Sequence, residues 1–350
     1  MTDDIGAAVS SADGQYAARA RACWDTIAKP LGALGLLQDA VCRLAAVQRT
    51  ERPAIPRRAL AVFCADNGIV AEGVTQTDSS VTAAVARNIC AGTASVCAMA
   101  RVARCDVFPV DMGMLAPVAH EKMTDRHVAH GTRNFLHEDA MTRAQAEQAV
   151  RTGAQFAQEL VDKGFAVIAT GEMGIGNTTT ASAVASVLLA LPPHAVTGAG
   201  AGLSAAGVAH KIRVIEQGIA ARAPDASDPI DVLAKLGGFD IAGMAGCMLG
   251  AAARRTAIIV DGLISQVAAL VAVRLCPAVR GYLFASHVGS EPASRLVLAE
   301  LGLAAPVQAG LHLGEGSGCM TLLPLLDMAL AVYGGAATFG DLRIPAYRPL

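Results

Sequence analysis

The sequence predicts an α/β protein: a doubly wound, mainly parallel sheet covered by helices, with a small helical domain beside it. Three observations carry this. Short apolar runs alternate with longer helical patterns from about residue 56 onward. The composition is 53% hydrophobic but only 17% charged and 4% aromatic, which suits the Ala-, Val-, Leu- and Ile-rich core of a helix-covered sheet. Polar and glycine-rich segments come directly after the apolar runs, at the strand ends where open α/β sheets hold ligands.

The elements follow in order. Residues 16–28 and 34–47 read as helices, and Pro53, Pro56, Arg57 and Arg58 read as a linker. A strand is expected at 60–65, a helix at 80–99, a strand at 105–111 and an irregular excursion over 112–141. A helix over 142–163 starts at Thr142, a capping residue, and a buried strand covers 165–169. Glycine-rich residues 198–204 lead into a helix at 205–221, and the small-residue run 237–253 reads as a helix suited to close packing. Strands at 256–260, 281–285 and 306–310 are followed by helices at 263–273, 291–301 and 320–333. The expected division is a Rossmann-like α/β catalytic domain at 56–318 and a helical domain at 1–55 plus 319–350.

Composition also excludes classes. A net charge of −2 with scattered Lys and Arg argues against a nucleic-acid or anionic-membrane surface. The apolar run 241–253 is too short to span a membrane and ends at Arg254-Arg255. Residues 1–5 have no basic region and no apolar core, so no export signal is visible and a cytoplasmic location is expected. Nine cysteines without a CxxC pair read as buried, reduced thiols. The histidines lack metal-ligand spacing, so neither a metal nor a cofactor is expected.

The most informative stretch is Gly171-Glu172-Met173-Gly174-Ile175-Gly176-Asn177-Thr178-Thr179-Thr180, between an apolar strand and a helix. Such a turn brings backbone amides to an anion at the positive end of the helix. Asn177, Thr178 and Thr179 add side-chain donors. The Walker lysine is missing; the plain alternative is a tight turn without a ligand. Polar residues also follow the other strands: Asp66 and Asn67, Asp111, Asp261, and Ser286 with His287. Glu315, in Leu313-Gly314-Glu315-Gly316-Ser317-Gly318, combines a carboxylate with close backbone approach and apolar neighbours, which suits proton abstraction near neutral pH. Any single one of these could instead be a cap or turn residue. Adjacent acids, as enzymes that use pyrophosphorylated ribose carry after a strand, occur at Asp3-Asp4 and, inside the irregular 112–141 excursion, at Glu138-Asp139, and neither pair directly follows an expected strand.

These motifs resemble the nicotinate-nucleotide–dimethylbenzimidazole phosphoribosyltransferase family. The strongest matches are Gly171 to Thr179 and Leu313 to Gly318. Ala65-Asp66-Asn67-Gly68, Gly131-Thr132-Arg133-Asn134, Gly237-Gly238-Phe239-Asp240-Ile241-Ala242 and Val260-Asp261-Gly262 also match in order. The resemblance implies transfer of 5-phosphoribosyl from nicotinate mononucleotide to 5,6-dimethylbenzimidazole, in the assembly of the lower ligand of cobalamin. It implies that Glu315 is the base and Glu172 a second carboxylate facing the ribose. Gly174, Gly176, Asn177, Thr178, Thr179, Gly200, Gly202 and Lys211 would hold the mononucleotide. Ser79, Ser80 and Leu313 would border the acceptor, and the protein would be a homodimer. The segment Gly73-Val74-Thr75-Gln76-Thr77-Asp78-Ser79-Ser80 departs from the family pattern. A purine or phenol acceptor is therefore the alternative, with a non-catalytic nucleotide-binding regulator as the contrasting class.

Overall fold

The computed structural model describes residues 6–347; residues 1–5, with Asp3-Asp4, and 348–350 lie outside the described residues. Six strands form one sheet: β1 (Arg58–Ala65), β2 (Asp106–Gly113), β3 (Thr124–Asp125), β4 (Val167–Met173), β5 (Ala257–Val260) and β6 (Leu283–Ala285). Every pairing is parallel, and the order is β3-β2-β1-β4-β5-β6. The chain winds outward from β1 to β3, then crosses back to β4 on the other side. This is the doubly wound order, and the reversal between β1 and β4 opens a crevice at their carboxyl ends. Register places Phe63 opposite Glu172 and Cys64 opposite Met173, so Asp66 and Asn67 emerge beside Gly174.

The helices are α1 (Gly14–Thr26), α2 (Leu36–Gln48), α3 (Ser80–Ala91), α4 (Ser95–Ala103), α5 (Arg143–Asp162), α6 (Asn177–Leu188) and the short α7 (Pro193–Val196). They continue with α8 (Ala205–Arg222), α9 (Pro229–Leu236), α10 (Phe239–Ala253), α11 (Leu263–Leu275), α12 (Pro292–Leu301), α13 (Ser317–Gly335) and α14 (Phe339–Leu342). Thr142 closes a capping box with Gln145 at the start of α5. Helices α5 and α10 pack backbone to backbone. A Cβ at Gly246 would overlap the Val150 carbonyl, and one at Gly250 the Ala154 carbonyl. That contact explains the small-residue composition of α10, which is buried from Phe239 to Ala252.

Trp24 of α1, Val41 and Ala45 of α2 and Ala329 of α13 form an apolar cluster separate from the sheet core, with Trp24 5.0 Å from the Tyr333 ring. Helix α2 also shields the sheet edge. Arg43 donates to the Leu283 carbonyl of β6, and its guanidinium lies 4.8 Å from the Phe284 ring centre.

Several expectations are corrected. The helix expected at 80–99 is two helices, because Gly92 takes φ +76° and closes α3 before α4 begins. Helix α9 is additional to the expected elements; Asp228 caps the Ile230 and Asp231 amides and Pro229 takes the first helical position. Residues 306–310 contribute only one bridge, Val307 to His287. β4 runs on to Met173, so Gly171 and Glu172 belong to the strand and not to the turn. Gly171 sits there because a Cβ would come 2.5 Å from the Glu315 carbonyl. Helix α13, unlike 241–253, is long and apolar enough for a membrane span. Its mid-helix Asp327, however, pairs with the buried Arg58 of β1, as suits a helix packed on the sheet.

Candidate active site

The crevice between β1 and β4 contains two adjoining cavities. The larger, ≈ 210 Å³, is lined by Glu172, Asp261, His287, Glu291, Leu313 and Glu315 among others. The smaller, ≈ 90 Å³, is bounded by the Val74–Thr77 segment and by Ala199 and Leu203. Gly174, Ile175, Asn177, Thr178 and Ala201 line both, so the glycine-rich turn forms the wall they share. A third, larger cavity of ≈ 560 Å³ lies between α1, α2 and the β6 edge. Its charged groups are already engaged, Arg21 with Asp39 and Arg43 with backbone carbonyls.

The turn is shaped for close approach. Gly174 allows no Cβ against the Ala65 carbonyl, and Gly176 takes φ +91° beneath Val70. The Ile175 amide donates to Thr82 Oγ1, Asn177 to the Gly174 carbonyl and Thr179 to the Gly176 carbonyl. Among the described residues the Gly176 and Thr178 amides, at the start of α6, have no such bond and form part of the positive end of the helix. Thr178 Oγ1 accepts from Lys211 Nζ at 2.7 Å. Lys211 is fully buried, and burial lowers its pKa to about 8, opposed weakly by Glu291. Its ammonium stands behind Thr178 and Gly200 and does not line either cavity.

Glu172 is buried against Gly314, and its Oε2 accepts a hydrogen bond from Asn177 Nδ2. The same nitrogen donates to Asp240 Oδ2 at 2.9 Å. Burial, then the charge of Asp240, pushes the Glu172 carboxyl up to about 8; burial pushes Asp240 to about 6. Both values follow from desolvating carboxylates without a cation beside them.

Glu315 lies in a run of three left-handed residues, Gly314 at φ +81°, Glu315 at +61° and Gly316 at +88°. A non-glycine residue in that region is strained and persists only where its surroundings enforce it. Asp261 provides the enforcement. Its Oδ2 accepts from the Gly316 amide at 3.1 Å, and its Oδ1 from Gly318 at 2.7 Å and Cys319 at 3.3 Å. Asp261 therefore clamps the start of α13 onto β5 and presents Glu315 to the cleft. Burial raises the Glu315 carboxyl, with the Val96 amide opposing, and its Oε2 is buried without a partner.

Of the residues singled out in the sequence, the structure brings Glu172, Glu315, Leu313, Gly174, Asn177, Thr178 and Gly200 to the larger cavity. Gly176 lines the smaller one, and Lys211 lies just behind the shared wall. Thr179 is fully buried in α6 and lines neither. Gly202 contributes its carbonyl to Gln76 Nε2. Ser79 and Ser80 lie at the start of α3 and reach neither cavity; the adjoining Val74–Thr77 segment does so instead. The other strand-end acids are structural. Asp111 holds the Gly113 and Met114 amides at 2.9 Å, and Asp66 holds that of Leu115 at 2.8 Å. Sequence reasoning assigns no role to Asp240 or Glu291. Glu291 Oε1 accepts from the Gly200 amide at 2.8 Å and ties down the second glycine-rich loop, while its Oε2 is buried without a partner. Only its position just before Pro292 of a helix hints at it.

Fold and cleft together define an α/β protein of the ligand-binding, doubly wound class, with buried carboxylates beside a glycine-rich helix start in the crevice. A family model described as phosphoribosyltransferase matches residues 9–344. The nicotinate-nucleotide–dimethylbenzimidazole phosphoribosyltransferase of Clostridium acetobutylicum is 40% identical over 98% of this chain and 97% of its own. The crystal structure of CobT from Thermus thermophilus superposes with a TM-score of 0.91 at 35% identity, covering 95% of this chain and 100% of that one. A second Thermus thermophilus structure, of the same-named phosphoribosyltransferase, superposes at 0.89 with 35% identity, over 95% of this chain and 99% of its own. The chain belongs to the nicotinate-nucleotide–dimethylbenzimidazole phosphoribosyltransferase family.

Proposed function

We propose that the protein transfers the 5-phosphoribosyl group of nicotinate mononucleotide to 5,6-dimethylbenzimidazole, releasing nicotinate and forming α-ribazole 5′-phosphate for the lower ligand of cobalamin. The observation that carries this is the pair of glycine-framed carboxylates, Glu172 and Glu315, on one cavity whose wall continues into the Gly174–Thr178 turn. Lysine and helix start meet the phosphate at that wall, through Thr178 Oγ1, the free Gly176 and Thr178 amides and the Lys211 charge. The ribose then spans the cleft toward Glu172.

The unprotonated acceptor nitrogen attacks the ribosyl C1′ from the face opposite the pyridinium. The new C–N bond forms as the old one breaks, its electron pair neutralises the departing ring, and the configuration inverts. Nicotinate leaves as a neutral pyridine nitrogen, so the step needs no acid. The acceptor's remaining N–H proton passes to Glu315, whose raised affinity for a proton suits that transfer. Holding both rings in line across one ribose supplies a large part of the rate. Gly174, Gly176, Asn177, Thr178 and Gly200 bind the mononucleotide, and Lys211 acts through Thr178 from behind that wall. Thr179 and Gly202 support the two loops, and Leu313 faces the acceptor together with the Val74–Thr77 segment that precedes Ser79 and Ser80.

The division into an α/β catalytic domain over 56–318 and a helical domain over 1–55 plus 319–350 belongs to this proposal. The separate Trp24 cluster supports it. A homodimer is proposed from the resemblance alone, and the expected cytoplasmic location is carried here as a proposal too. The test is to incubate the protein with nicotinate mononucleotide and dimethylbenzimidazole, a purine or a phenol, then follow nicotinate release and product mass. Release with dimethylbenzimidazole is expected, and no release with any base refutes the activity. Glu315→Gln should lose roughly 100-fold or more in kcat while still binding the mononucleotide; turnover within a few-fold of the parent removes Glu315 as the base.

A further inference from the structure

Asn177 Nδ2 has two hydrogens and gives both to carboxylates, one to Glu172 Oε2 and one to Asp240 Oδ2. Two buried acids are thus held within reach of a single nitrogen. The groups facing them come from every neighbouring element, and all are acidic or neutral: Cys64 and Asp66 from the β1 end, Asp261 after β5, and Glu315 before α13. Among the described residues no Lys, Arg or His forms an ion pair with either acid. His287, at 3.9 Å from Asp261, and Lys211, on Thr178, are both occupied elsewhere. Asp240 itself is fixed at the start of α10, where its Oδ1 accepts from the Ile241 amide at 2.9 Å. Gly174 and Gly238 leave room for its carboxylate: a Cβ at Gly174 would lie 3.2 Å from Oδ2. Gly238 precedes it as the helix cap.

We propose that Asp240 is a positioning residue: it fixes the Asn177 carboxamide, and with Glu172 it forms a buried acid pair that carries one proton in the free enzyme. Two carboxylates this close and this dry cannot both ionise cheaply, so the pair keeps a proton and one negative charge. Asp240 holds the charge and Glu172 the proton, because Asp240 accepts from both the Ile241 amide and Asn177 whereas Glu172 accepts from Asn177 alone, and burial together with the Asp240 charge raises Glu172. The pair would meet a cationic ring. When the pyridinium of the mononucleotide enters the cleft, its positive charge favours the ionised pair, and the proton leaves to solvent. This inference rests on the proposed function only for the identity of the cationic ligand.

The first test needs neither turnover nor ligand. Protein labelled with 13C at the glutamate carboxyls is titrated by NMR, with the Glu172 signal assigned through Glu172→Gln. In the parent, Glu172 should titrate well above the ordinary carboxylate range; in Asp240→Asn its midpoint should move toward acid by roughly one pH unit or more. The second test is mononucleotide binding by calorimetry at pH 7 in two buffers of different ionisation enthalpy. The parent should release roughly half a proton or more beyond Asp240→Asn, the phosphate and Lys211 contributions being common to both. An unmoved Glu172 midpoint with an equal proton count overturns the inference. Should Asp240→Asn not fold, the parent alone decides: a Glu172 midpoint near the ordinary carboxylate range of roughly 4 to 5 also overturns it. Absence of turnover with every base refutes the proposed activity and leaves the titration result standing, so the two failures are distinguishable.

Discussion

Replacing Glu172 by Gln should stabilise the protein at alkaline pH and leave it almost unchanged at pH 5. The Glu172 carboxyl rises from an ordinary 4.5 to about 8 on folding. Between those values the folded chain binds one proton more than the unfolded chain, so stability falls as pH rises. The contribution is fully present below about pH 4.5 and lost above about pH 8. Each pH unit of difference corresponds to ~1.4 kcal/mol, so complete ionisation costs the folded state on the order of 5 kcal/mol. Water entry and side-chain relaxation around the ionised pair reduce this to about 2–3 kcal/mol. Gln does not titrate, and its amide oxygen still accepts from Asn177. Thermal unfolding of parent and Glu172→Gln at pH 5 and pH 9 checks this. The variant should melt roughly 3–4 °C above the parent at pH 9 and within about a degree at pH 5. An equal Tm difference at both pH values would falsify the argument, because it would mean that Glu172 carries no proton that the unfolded chain lacks.

Lys211→Met should weaken nicotinate mononucleotide binding by roughly 10–100-fold, since among the described residues the buried ammonium has only Thr178 Oγ1 as a hydrogen-bond partner and a phosphate would add to the counter-charge of Glu291. For the parent, affinity should also decline above about pH 8 as the lysine loses its proton. Equal calorimetric affinities for parent and variant remove Lys211 from the phosphate site. Gly246→Ala should cost ~1–3 kcal/mol or more, because its Cβ collides with the Val150 carbonyl across the α5–α10 contact. An unchanged denaturant midpoint would show that the two helices separate easily.

Much of the fold is legible in the sequence because its causes are local. Apolar runs mark buried strands, and capping residues such as Thr142 mark helix starts. Asp228 with Pro229 carries the same kind of signal for the additional helix α9. The break at Gly92 shows the limit: a glycine inside a helical pattern is tolerated or not according to what packs beyond it. Glu172 and Glu315 can be found from sequence because a carboxylate framed by glycines is unusual in itself. Ser79 and Ser80 lie away from the cavities they are expected to border, because the path of an irregular loop depends on contacts far along the chain, here Gln76 with Gly202.

The sequence by itself determined the class of fold, the two glycine-framed carboxylates and the glycine-rich helix start, all of which rest on neighbours within a few residues. Only the tertiary structure decided which strand-end acids line the cavities and which hold backbone amides away from them. Asp261, Asp111 and Asp66 stand at the ends of apolar strands as Glu172 does, yet backbone amides hold at least one oxygen of each. Tertiary structure alone also joined Asp240 to Glu172 through Asn177, across 63 residues of sequence for one contact and five for the other. The physical reason is that the charge state of a carboxylate depends on burial and on its neighbours in space, and those are properties of the folded chain.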